Sequence, residues 1–301
     1  MSPEPTAYVI GEALTDIVDG PEGIHEHPGG SPMNVAIGLA RLDIPVVLHT
    51  RFGRDERGAA INRHLEASSV AVTAGSRDAG DTATARATLD RDGAASYRFE
   101  ITGALTEPEI PADVRLVHTG SIAAYLEPGA DLIEAALGAV RPRALVSFDP
   151  NMRPLIIPEH QSVVERTERL AALADIVKLS DEDAEWLYPG LALPAVLDRL
   201  ASRGGAGLVA VTRGAEGCLI LAGGELYTLP APRVSVVDTI GAGDSFMAAM
   251  LAAVLEVGAD EAVRAGTLDS PTLTRIGETA LRAAAITVSR AGANPPRRAE
   301  L

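Results

Sequence analysis

The run Val236-Val237-Asp238-Thr239-Ile240-Gly241-Ala242-Gly243-Asp244-Ser245-Phe246 decides how the rest of the chain is read. Gly241, Ala242 and Gly243 are small enough for their backbone N–H groups to come close to a ligand. The stretch that follows, 244–255, reads as a helix. The run therefore opens onto a helix N-terminus, with free N–H donors and the positive end of the dipole. That arrangement suits a developing phosphate charge. Asp244, in the first turn, has two readings: an N-terminal cap or a catalytic base. Asp238 is ambiguous in the same way.

A second glycine loop, His27-Pro28-Gly29-Gly30-Ser31-Pro32-Met33-Asn34-Val35-Ala36, also opens a helix. Its plain reading is a tight turn with Asn34 as N-cap. Its functional reading is a site where backbone amides meet a polyol and the Asn34 amide both donates and accepts. Around these loops, short apolar runs alternate with helical patterns, which predicts an α/β fold with a central, mostly parallel sheet flanked by helices. Strands are expected at 8–11, 46–50, 116–120, 145–149, 176–179 and 208–212. Helices are expected at 34–42, 58–68, 130–140, 159–174, 195–203, 244–255 and 274–289. The segments 217–222 and 225–229 read as a hairpin about Gly223-Gly224. One region breaks the alternation. Segments 82–89 and 95–101 alternate small or apolar residues with polar ones about the turn Asp90-Arg91-Asp92-Gly93, so they form an antiparallel hairpin. Its faces are too polar for a core, which makes it a flap, and 13–26 is expected to add a further strand.

The chain has 301 residues, with 26 Lys+Arg against 41 Asp+Glu and a net charge of −15, and Lys178 is its only lysine. An acidic surface repels phosphate backbones and argues against nucleic acid as a partner. A Walker-A loop needs Gly-Lys-Ser/Thr, whereas Lys178 stands in Val177-Lys178-Leu179, which excludes a P-loop NTPase. Gly11-Glu12-Ala13 follows the first strand in place of Gly-x-Gly-x-x-Gly, which removes a Rossmann dehydrogenase. Cys218 is alone, so neither an intrachain disulfide nor a cysteine metal site is expected. The start is polar, and no run of ~18 apolar residues occurs, so no membrane partner and a cytoplasmic location are expected.

At their separation and in their order, the two glycine loops resemble the paired signatures of the ribokinase-like (PfkB-type) carbohydrate kinases. The similarity runs from Ile10-Gly11-Glu12 to Ala291-Gly292-Ala293-Asn294 and implies one kinase domain over 1–301. Lid segments at approximately 13–28 and 81–102 would form a small antiparallel β lid. The resemblance implies that Asp244 is the base that takes the proton from a sugar hydroxyl attacking ATP. It makes Gly241, Ala242 and Gly243 the anion hole, and Asp16, Gly30 and Asn34 sugar contacts. Asp149-Pro150-Asn151-Met152-Arg153 looks like a segment of fructokinase-type members, with Arg153 gripping phosphate; a surface ion pair is its alternative. Val211-Thr212-Arg213-Gly214-Ala215-Glu216-Gly217 resembles the nucleotide loop, with Thr212, Gly214 and Gly217 toward ATP, joined by Asn294. On the lid, Phe99 closes over the sugar and Arg98 reaches it, unless these residues and Tyr97 pack between subunits in a lid-mediated homodimer.

The resemblance also implies two ions. Where the family shows Asn-x-x-Glu around Mg²⁺, this chain has Ser180 and Asp183, so Asp183 would act through water. Lys178 points to the nucleotide cleft or serves a structural role. A monovalent cation such as K⁺ would sit at Asp238 and Ile240, with carbonyls from 287–296. His25 and His27 share a strand face but lack a third ligand. The substrate implied first is fructose, with a 2-keto-3-deoxygluconate kinase or another small-sugar kinase as the alternative. A non-catalytic sugar sensor is the reading from another class.

Overall fold

Residues that bury on both faces of a strand build the central sheet. In the first strand, Ala7 and Val9 enter one apolar cluster while Tyr8 and Ile10 enter the other, on the opposite side. The computed structural model describes residues 6–20, 23–89 and 95–301; the expected turn at 90–93 lies outside them. In chain order the elements are β1 (Ala7–Ile10), β2 (Leu14–Gly20), β3 (Gly23–Gly29), α1 (Ser31–Arg41), β4 (Val46–His49), α2 (Glu56–Glu66), β5 (Ala71–Val72), β6 (Thr84–Leu89), β7 (Ala95–Glu100), β8 (Leu116–Gly120) and α3 (Gly129–Val140). They continue with β9 (Leu145–Asp149), α4 (His160–Leu173), β10 (Ile176–Ser180), α5 (Asp181–Leu187), α6 (Leu193–Ser202), β11 (Leu208–Thr212), β12 (Cys218–Ala222), β13 (Glu225–Leu229), α7 (Ala242–Val257), α8 (Asp260–Ala265) and α9 (Ser270–Val288).

The large sheet runs β13-β12-β11-β10-β9-β8-β1-β4-β5, parallel from β5 to β11 and closed by the antiparallel hairpin β12–β13. From β1 the chain leaves to β4 on one side and later returns to β8 on the other. The order therefore reverses about β1, and ligands of open α/β sheets bind outside the strand C-termini at such a point. A cleft of about 870 Å³ lies there, lined by Glu12, Ser121, Asn151, Ser180 and Thr212 from the ends of β1, β8, β9, β10 and β11.

A second sheet, ordered β3-β2-β6-β7, covers the cleft. It joins two antiparallel hairpins, β2–β3 and β6–β7, through one parallel pairing of β2 with β6. The expected single strand in 13–26 is thus a hairpin of its own. Strand alternation gives this lid two faces. Register places Asp16, Ala85 and Phe99 in one row and Val18, Ala87 and Tyr97 in the next, and all of these but Val18 line the cleft.

Helix α7 is buried through most of its length and packs between α1 and α9. The α1 crossing is close because Gly38 has no side chain: a Cβ there would stand 2.5 Å from the Ala248 Cβ. Ser31, Asn34 and Gly38 share one face of α1, as Asp244 and Ala248 share one face of α7. This close approach brings the two helix starts together. No helix among the described residues is long and apolar enough to cross a membrane.

Candidate active site

Asp244 joins the two glycine loops across 213 positions of sequence: its Oδ1 accepts from Ser31 Oγ at 2.6 Å. Asn34 Nδ2 donates to Oδ2 at 2.8 Å, and Asn151 Nδ2 approaches Oδ1 at 3.4 Å. The carboxylate is 7% exposed, at the floor of the cleft. It does not cap its helix. Gly241 is the N-cap, at φ 74°, with no side-chain bond, and among the described residues the amides of Gly243 and Asp244 have no hydrogen-bond partner. Asn34 is no cap either; it lies inside α1, and Gly30 precedes that helix at φ 119°. The open amides and the carboxylate thus occupy one helical turn.

Lys178 rises from β10 beneath this turn. Its Nζ donates to Asp149 Oδ2 at 3.0 Å, and a Cβ on Gly243 would stand 2.8 Å from Nζ. Burial works against charge on Lys178, but Asp149, Asp183 and Asp244 outweigh it and hold its pKa above the ordinary value. Burial pushes Asp149 up to about 6, with Lys178 opposing the shift.

Toward the lid, Asp16 lies so close to Gly29 that a Cβ there would meet its Oδ2 at 2.0 Å. Loss of solvent raises the Asp16 pKa, with Arg153 and His27 opposing. Glu12 is raised mainly by burial as well; its Oε2 accepts from the Ala123 amide at 3.0 Å while Oε1 lacks a partner. Arg153 lines the cleft with these carboxylates and is held by the Asn151 side chain at 2.7 Å. Tyr97 and Phe99 stack on the lid's cleft face, their centroids 6.2 Å apart. Thr212, Gly214 and Ile240 line the opposite end.

The chain belongs to the PfkB family of carbohydrate kinases. The family described as pfkB family carbohydrate kinase matches residues 6–300. A fructokinase of Rhizobium leguminosarum bv. trifolii is 35% identical over 259 residues, covering 81% of this chain and 78% of its own. Fructokinase from Xylella fastidiosa with bound ATP superposes at a TM-score of 0.83 and 25% identity, over 98% of this chain and 96% of that one. Fructokinase from Vibrio cholerae O395, in its fructose, ADP and calcium ion bound form, superposes at 0.79 and 25% identity, over 96% and 94%. The fold is accordingly the ribokinase-like α/β fold.

In this PfkB chain, the expected residues Asp16, Gly30, Asn34, Phe99, Arg153, Thr212, Gly214, Gly241, Gly243 and Asp244 all line one cleft, with Ala242 between the last glycine pair. Arg98, Gly217, Asn294 and Asp238 lie outside that lining, and Asp183 lines it with both oxygens bonded to amides. Arg98 is corrected: it points from the lid face opposite Phe99, pairs with Glu100 at 2.8 Å and is 76% exposed. Gly217 lies outside the cleft lining and is explained by packing, since a Cβ there would meet the Leu229 carbonyl at 2.0 Å. Asn294 accepts at its side-chain oxygen from the Arg41 guanidinium at 2.6 Å, while its neighbour Ala293 packs on Gly241. Asp183 lines the cleft, yet its oxygens accept from the Met152 and Ser180 amides at 2.7 and 2.9 Å in a capping box. Asp238 accepts from the Ile240 and Gly292 amides at 3.0 and 2.8 Å, bonds that lower its pKa. No group of three His, Cys, Asp or Glu suited to a metal occurs among the described residues. Sequence reasoning missed Ser31 and Asn151 as partners of Asp244, although both stand inside quoted motifs.

Proposed function

We propose that this carbohydrate kinase transfers the γ-phosphoryl group of ATP to a hydroxyl of fructose. The observation that carries the reading is Asp244, buried at the cleft floor, oriented by Ser31 and Asn34, in the same turn as unpaired amides. A fructokinase relative and the fructose-bound Vibrio neighbour support the choice of sugar. In the step, the hydroxyl oxygen bonds to phosphorus as Asp244 takes its proton. The bond from phosphorus to the bridging oxygen breaks, and its electron pair leaves on ADP. The turn at Gly241, Ala242 and Gly243 receives the charge on the phosphoryl oxygens. Asp16, Gly30 and Asn34 hold sugar hydroxyls, Phe99 closes over the ring, and Thr212 and Gly214 face the nucleotide.

Mg²⁺, when bound, neutralises phosphate charge. Each oxygen of Asp183 holds one amide bond and keeps a lone pair for a water of the ion, in keeping with the many waters Mg²⁺ retains. A K⁺ ion fits Asp238 by charge and donor type, since each oxygen keeps a lone pair beyond its amide bond. Replacing K⁺ with a bulky organic cation lowers turnover on this reading, and unchanged turnover removes the ion. A second copy seated on the lid is part of the same proposal, because Val18 and Tyr97 are exposed there; sedimentation would show a dimer, and a monomer would remove it.

Binding and ADP release measured on one preparation, across a panel of sugars, test the reading. Fructose is expected both to bind and to release ADP. A sugar that binds while none supports release would establish the sensor instead.

A further inference from the structure

The only lysine of the chain lies inside the cleft, in a protein that otherwise uses arginine for its cations. Lys178 is 3% exposed and lines the same cavity as Gly241, Gly243 and Asp244. An ammonium carries three N–H donors. Among the described residues one acceptor is provided, Asp149 Oδ2 at 3.0 Å, so two donors remain. The contact at Gly243, where a Cβ would stand 2.8 Å from Nζ, sets the charge beside the turn with open amides. A guanidinium is broader and flat, whereas this position takes a compact point charge. A buried ion pair is a weak device for stability, because apolar residues of similar volume often serve as well. The pair therefore calls for a reason beyond folding.

We propose that Lys178 is a catalytic residue, its ammonium donating to an oxygen of the transferring phosphoryl group beside Gly243. The proposal rests on the kinase reading above. Lys178 transfers no proton: it stays an ammonium while the hydroxyl oxygen bonds to phosphorus, Asp244 takes the proton and ADP leaves with the electron pair. Asp149 fixes the ammonium from below, and the charge strengthens an anion site that helix amides alone would make.

Because there is one lysine, protein labelled with ¹³C at lysine Cε gives one side-chain signal to follow. That signal is expected to hold still on adding fructose and to shift when ADP, Mg²⁺ and aluminium fluoride complete a mimic of the transferring group. A signal unmoved by the full mimic overturns the proposal. Variants give a second reading. Lys178→Met is expected to lower kcat about 100-fold. The double variant Lys178→Met with Asp149→Leu, which replaces the pair by apolar groups, is expected to regain the wild-type melting temperature yet stay as slow. Recovery of kcat in the double variant would make the pair structural and end the proposal. Failure of the kinase reading shows separately, as wild-type protein that releases no ADP with any sugar.

Discussion

In the floor of the cleft, Lys178, Asp244 and Asn34 are 3%, 7% and 8% exposed, and each is tied to a partner on another element. In the lid above, Tyr97 is 56% exposed, and the small side chains of Ala85 and Ala87 face the cleft beside it and Phe99. The floor is a set of buried charges held by bonds between elements, so moving one breaks contacts to its neighbours. The lid is a sheet whose two faces differ residue by residue. On the proposed function, the chemistry belongs to the floor and the choice of sugar to the lid and the β1 end.

The largest effect should come from the floor. Asp244→Ala is expected to lower kcat about 1,000-fold, within the range for loss of a general base, with fructose affinity little changed. ADP release and calorimetry measure the two, and near-normal turnover would take the chemistry away from the floor. Gly38→Val attacks the same place from a distance. Its Cβ would stand 2.5 Å from Ala248, so α1 must move off α7 and carry Ser31 and Asn34 away from Asp244. Overpacking of this kind costs about 1–3 kcal/mol, so thermal unfolding should show a drop of several degrees together with a loss of kcat.

The lid should respond face by face. Phe99→Ala is expected to raise the fructose KM about tenfold, the loss of one apolar wall, while Arg98→Ala leaves it within about twofold because that residue faces away. Equal effects in initial-rate measurements would erase the distinction between the faces. The smallest effect belongs to the latch between lid and body, the Arg57–Glu26 pair at 2.6 Å, whose side chains are 34% and 38% exposed. Exposed pairs contribute about 0–1 kcal/mol. Arg57→Ala should therefore leave the melting temperature nearly unchanged, and a large fall would make the lid part of the rigid body.

The same contrast explains what was legible in the sequence. The strands of the parallel sheet were, because doubly buried strands are short apolar runs between helical stretches. Asp244 was, because a glycine-flanked helix start announces itself locally. The bond from Ser31 to Asp244 was not, because no local pattern records a contact across 213 positions. Gly38 was a missed signal: it follows Asn34 by one helical turn and marks the face that must come close to α7. Arg98 was misplaced although strand alternation already sets it opposite Phe99. Asp183 looked like a metal residue, and its local sequence equally spells the capping box that it forms with Ser180. Strand β5 spans 2 residues and α8 spans 6, too short for periodicity to reveal.

The most direct measurement is kcat/KM for fructose beside 2-keto-3-deoxygluconate, read as ADP release by the wild-type protein with Mg²⁺. The account predicts a clear preference for fructose, since the cleft offers Asp16, Gly30 and Asn34 to hydroxyls and Arg98 points away from it. A preference for the carboxylate-bearing sugar, or no release with either, would contradict it.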